Sequence, residues 1–97
     1  VVHGAYATPF YYEKGLRSSY YRLEKGQHIN ADEEMQANPF PSLFILIGGT
    51  AQSKIGGQEL TLDGKQAMLA PAGVAHEFWN LDDTPAEFIL IMFGEGA

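Results

Sequence analysis

Alternation of apolar and polar side chains, not a helical stripe, runs along this chain. From Ser18 onward, Ser19, Tyr21 and Leu23 fall on one face and Tyr20, Arg22 and Glu24 on the other. That period of two belongs to a half-buried strand, and Lys25-Gly26 ends it in a turn. Gln27 to Asn30 gives a short second strand. Leu43 to Ile47, LFILI, is an unbroken apolar run, so both of its faces are expected to be covered, and Gly48-Gly49 bends the chain out of it. Thr50 to Ile55 alternates again, and Gly56-Gly57 supplies the two positive-φ positions of a tight hairpin. Gln58 to Leu62 then returns with Leu60 and Leu62 on the core face. After an Asp63-Gly64 turn, Gln66 to Ala70 is a short apolar strand, and Pro71-Ala72-Gly73 forces a corner, because Pro71 cannot donate to a ladder and Gly73 accepts a positive φ. The strand that follows places His76, Phe78 and Asn80 on one face and Glu77 and Trp79 on the other. Leu81 to Pro85 is a polar loop, and Ala86 to Phe93 closes as a long apolar strand. Short strands with turn signals at about eight- to twelve-residue spacing predict an all-β sandwich or barrel.

Two segments fall outside this rhythm. Residues 1–17 form an aromatic arm in which Pro9 precedes Phe10-Tyr11-Tyr12. Leaving those rings in water costs about 25 cal/mol per Å², so the arm is expected to dock on the barrel of residues 18–97 or on a partner subunit. Ala31 to Pro41 holds the dense acidic run Asp32-Glu33-Glu34 and then Pro39-Phe40-Pro41, which blocks regular pairing.

Composition narrows the functions open to such a fold. The 97 residues suit one domain, and a formal charge of −6 argues against nucleic acid or an anionic membrane as partner, since either needs a basic face. The chain has no cysteine, which removes disulfides, thiolate catalysis and Cys-ligated zinc and suits a reducing compartment, the cytoplasm. No apolar run approaches the length of a membrane-spanning helix.

The pattern Pro71-x-Gly73-x-x-His76-x-x-x-Asn80 resembles the second conserved motif of the cupins, small barrels of the double-stranded β-helix or jelly-roll kind. The likeness extends over most of the chain, from about Ser18 to Phe93. It implies a closed barrel with His76 and Asn80 turned into a cavity. It also implies a first motif with a His-x-His pair and a glutamate that complete a metal site with the second-motif histidine, and here the chain departs from the family. Counting forward from Gly26 puts the pair at Asp32 and Glu34. Counting back from Gly49 puts it at Gln36 and Asn38, with Ser42 in place of the glutamate. Neither count restores a histidine pair, and His28 falls too early for either, as a strand or turn residue.

Two functions follow as expectations. In the first, the cavity holds a small organic ligand between Phe44 and Phe78, with His76, Asn80 and Gln36 as its polar groups and without a tight transition-metal site; mostly apolar walls with a few converging polar groups suit such a role. In the second, His76 with Asp32 and Glu34 holds a divalent ion as the Lewis acid of a dioxygenase, isomerase or lyase; carboxylates in place of imidazoles favour harder ions. Met68 and Met92 read as core packing. Trp79 points opposite to His76, so its indole is expected to be covered by the arm or by a second subunit. The resemblance implies a homodimer, with Trp79 and some of Tyr11, Tyr12, Tyr20 and Tyr21 at the contact.

Overall fold

A computed structural model describes residues 6–29 and 39–97. Nine strands make up its regular structure: β1 (Tyr6–Glu13), β2 (Leu16–Leu23), β3 (His28–Ile29), β4 (Ser42–Gly48), β5 (Thr50–Ile55), β6 (Gln58–Asp63), β7 (Ala67–Ala70), β8 (His76–Trp79) and β9 (Ala86–Phe93). They form two antiparallel sheets, a five-stranded one in the order β1-β2-β9-β4-β7 and a four-stranded one in the order β3-β8-β5-β6. The all-β architecture expected from the strand rhythm, and the jelly-roll barrel that the resemblance implies, is therefore the observed fold. The aromatic segment near the start of the chain is an edge strand on β2, with a register shift between Pro9 and Tyr11, where proline has no N–H to give to the ladder.

The turns are made where the sequence puts its glycines. Gly56 and Gly57 both take positive φ, 58° and 82°, and close the β5–β6 hairpin, as a two-residue loop between right-twisted strands demands. Gly49 (φ 76°) is more constrained, because a Cβ there would overlap the carbonyl oxygen of Pro85. It lies next to a bulge, where the β4–β9 register slips between Leu46 and Gly48, and the two features together turn the chain from one sheet to the other.

The core fills the space between the sheets. From the five-stranded sheet come Leu23, Phe44, Leu46, Ala70, Ala86, Phe88 and Leu90, and from the four-stranded sheet Ile29, Ala51, Leu62 and Phe78. Phe44 and Phe78 pack at a 39° tilt with ring centroids 4.2 Å apart, and Phe88 meets Phe78 edge-on at 5.2 Å. Each ring buried this way contributes about 1.5–3 kcal/mol over an exposed one.

Two expectations about burial need correction. Leu60 shares the inward register of Ser53 but is 46% exposed; it lies on β6, the edge strand of the four-stranded sheet. LFILI is covered fully on one face only: Phe44 and Leu46 are buried, whereas Ile47 is exposed. Tyr21 packs against the core, on the face opposite to Tyr20 as the alternation of the strand expects.

Candidate functional site

His76 and Phe78 share the inward face of β8 and Asn80 follows just past its end, all three at 2% exposure or less. They run from one end of the barrel toward the other, and each is held differently.

Asn80 acts on backbone. Its Nδ2 donates to the carbonyls of Leu23 (3.0 Å) and Thr84 (2.9 Å), and its Oδ1 accepts from the Asp82 N–H at 2.9 Å. Both amide protons are thereby committed to joining the end of β2 to the 81–85 loop. Its own backbone bonds Gly26 and Gln27, so this residue fixes one end of the barrel. Phe78 fills the middle of the core against Phe44 and Phe88.

His76 is the chemically available group. Pro71 to Val74 makes a turn in which the Val74 N–H donates to the Pro71 carbonyl at 3.1 Å, with Gly73 at φ 75° as a type II turn requires. That turn presents the carbonyl of Val74 to the His76 Nδ1, 3.2 Å away. A carbonyl only accepts, so Nδ1 carries the proton and Nε2 keeps its lone pair. Burial pushes the imidazole below its ordinary 6.5, while the Val74 bond pulls the other way. Neutral at pH 7, the ring leaves Nε2 buried and without a hydrogen-bond partner among the described residues. The Phe44 ring stands 5.3 Å from it at a tilt of 56°. The site thus offers one acceptor nitrogen against an aromatic wall.

The chain leaves the described region at Ile29, whose register partner is Phe78, and resumes at Pro39. Asp32, Glu34, Gln36 and Asn38 lie outside the described residues. For a metal, the lone pair of Nε2 is a competent ligand, but one imidazole does not hold an ion, and among the described residues no three His, Cys, Asp or Glu side chains converge.

Sequence reading missed two features. The first is the cover on Trp79 from within the chain. The indole stacks on His28, its register partner on β3, with centroids 6.2 Å apart, and His28 Nδ1 lies 3.3 Å from Glu77 Oε2. Trp79 therefore sits on the outer face of the four-stranded sheet, while Tyr20, bonded to Glu87, sits on the outer face of the other, so one flat contact cannot take both. The second feature is Arg17. The alternation Ser19, Tyr21, Leu23 extends back to it, and its pairing with Met92, in turn opposite the buried Ser42, puts it on the inward face. Its guanidinium lies over the Tyr12 ring (5.2 Å) and the Phe40 ring (5.7 Å).

Comparison with known proteins agrees with this architecture. Residues 20–92 match the family model described as a cupin domain. Comparison with curated protein sequences finds no match. Among solved structures, the chain is similar to a conserved protein of unknown function from Streptococcus pyogenes (18% identity, 98% of this chain and 78% of that one, TM-score 0.81). It is also similar to the protein TT1209 from Thermus thermophilus (20% identity, 94% and 84%, TM-score 0.83). A cupin superfamily protein from Desulfitobacterium hafniense DCB-2 superposes with a TM-score of 0.79 at 13% identity, over 96% of this chain and 80% of that one. At these identities the likeness is one of fold, and together with the family match it makes this chain a member of the cupin family.

Proposed function

We propose that this cupin binds a small organic ligand at the His76 end of its barrel, through a hydrogen bond donated by the ligand to Nε2. The observation that carries the reading is a neutral imidazole whose Nδ1 is fixed by the Val74 carbonyl while the buried Nε2 has no partner among the described residues. A buried acceptor left unpaired costs about 1–3 kcal/mol, and a ligand hydroxyl or amine removes that cost. Phe44 supplies the apolar wall, and Gln36 is the further polar group assigned to the site. Asn80 contributes by holding the barrel end in shape. Long-range 1H–15N spectra of the histidine rings during titration with polyols and sugars test the reading. Movement of the His76 Nε2 resonance, absent for His28, supports it, and an unresponsive Nε2 across that set contradicts it.

One observation favours a second reading. A histidine whose Nδ1–H is bound to a backbone carbonyl is oriented as metal-ligating histidines are, and Asp32 and Glu34 are the carboxylates assigned to complete that set around a divalent ion. Elemental analysis of protein purified without chelators separates the two. A stoichiometric ion that disappears in His76→Ala favours the metal enzyme, and no ion bound at any added concentration removes it.

We also assign the protein a homodimeric state, through the outer face of the five-stranded sheet. Cross-strand rows Leu69–Leu43–Ile91 and Ala67–Ile45–Ile89 give that face a continuous apolar surface, with Leu69 half exposed, and surfaces of this kind mark interfaces. A dimer mass in light scattering at micromolar concentration, lost in Ile45→Arg, is expected; a monomer mass refutes the assignment. The cysteine-free sequence fits action in the reducing cytoplasm.

A further inference from the structure

We infer that Arg17 is an anion-binding group on the inward face of the barrel and takes the carboxylate of a small acid. The chain has two arginines, Arg17 and Arg22, and they are held in opposite ways. Arg22 is exposed and pairs with Glu24, Nη2 lying 2.9 Å from Oε1 and Nε donating to the same oxygen at 2.9 Å. Among the described residues no carboxylate pairs with Arg17, and its Nε is buried without a hydrogen-bond partner.

The surroundings of Arg17 aim the fork without satisfying it. Tyr12, directly opposite on β1, and Phe40, itself buried, flank the guanidinium with their rings. Ring faces attract the cation and hold its plane but accept none of its N–H groups in the way an oxygen does. A planar guanidinium with its edge unused matches a carboxylate, which takes two parallel N–H bonds. In a chain of net charge −6, an inward arginine without an ion-pair partner among the described residues is set apart from the scattered surface charge.

Arg17 and His76 also differ in what they ask of a ligand. Arg17 gives hydrogen bonds to an anion and His76 Nε2 receives one from a donor, and both side chains face the barrel interior. A small hydroxy acid satisfies both. This last step rests on the ligand reading of His76 given above, whereas the anion site at Arg17 does not.

The test uses the side-chain Nε–Hε resonances of arginine, of which the chain has only two. Acetate is titrated against sodium chloride at matched ionic strength. The Arg17 signal, identified by its loss in Arg17→Gln, is expected to shift saturably with acetate and not with chloride, while Arg22 stays still. No saturable shift, as from a fork already satisfied within the chain, overturns the proposal. Gluconate and sorbitol then separate the two claims, since they share a polyol chain and differ in the carboxylate. Gluconate is expected to move both the Arg17 and His76 resonances and to bind at least tenfold more weakly to Arg17→Gln, with sorbitol indifferent to that change. A shift at Arg17 without one at His76 keeps the anion site and refutes the shared hydroxy-acid ligand; equal binding of gluconate and sorbitol overturns the anion site.

Discussion

The Nδ1–H of His76 points at the carbonyl oxygen of Val74, 3.2 Å away and two residues earlier in the same chain. That short-range bond decides the chemistry of the barrel interior, because it leaves the other ring nitrogen as an acceptor. It also makes the site depend on the Pro71-Ala72-Gly73 corner, which positions the carbonyl.

The depressed His76 pKa has a consequence for stability. The unfolded chain takes up a proton at this residue near pH 6.5, whereas the folded chain does so only at lower pH. Stability from this group is therefore fully present above about pH 6.5 and falls as the pH drops through the folded value. Urea midpoints measured from pH 7.5 to pH 5 are expected to decline, and the decline should be shallower in His76→Phe, which cannot titrate. A midpoint that rises on acidification in the native protein but not in the variant would reverse the sign of the coupling.

Asn80 has a structural cost to its removal. Asn80→Ala leaves the carbonyls of Leu23 and Thr84 and the N–H of Asp82 without the partners they now have. At about 1–3 kcal/mol for a buried group left unsatisfied, the variant is expected to lose about 2–4 kcal/mol in urea denaturation. Asn80→Asp should lose stability as well, because a carboxylate gives no proton to either carbonyl. A loss under about 0.5 kcal/mol, ordinary for surface positions, would mean that the clamp is dispensable.

Gly49 and Gly57 separate backbone conformation from contact. Both have positive φ, but a Cβ at Gly57 meets nothing within 4 Å, whereas at Gly49 it overlaps Pro85. Gly57→Ala is expected to cost about 1 kcal/mol, the usual penalty of the left-handed region. Gly49→Ala should cost clearly more, since backbone must move, and equal losses would place the strain in φ alone.

Local period carried most of the fold into view. The inward faces of β2 and β8 follow from alternation, the strands β4 and β9 from their apolar runs without a face being told apart, and the turns at Gly49 and Gly56-Gly57 from the need for positive φ. Leu60 escaped because alternation says which way a side chain points and not that its strand is the edge of the sheet. The stacking of Trp79 escaped because His28 is 51 positions away in sequence and is set beside it only by sheet register. The inward direction of His76 was legible from the motif, but its tautomer needed the Val74 carbonyl. Arg17 was within reach of the same alternation that placed Ser19 and Tyr21, had the strand been extended one residue toward the amino terminus.

The most direct measurement is the nitrogen signature of the His76 ring, assigned by comparison with His76→Phe. A protonated Nδ1 and a lone-pair-bearing Nε2 at pH 7, persisting below pH 6.5, are the result expected. A ring protonated on Nε2, or an imidazolium at pH 7, would contradict the account, because the barrel would then hold a donor where a ligand needs an acceptor.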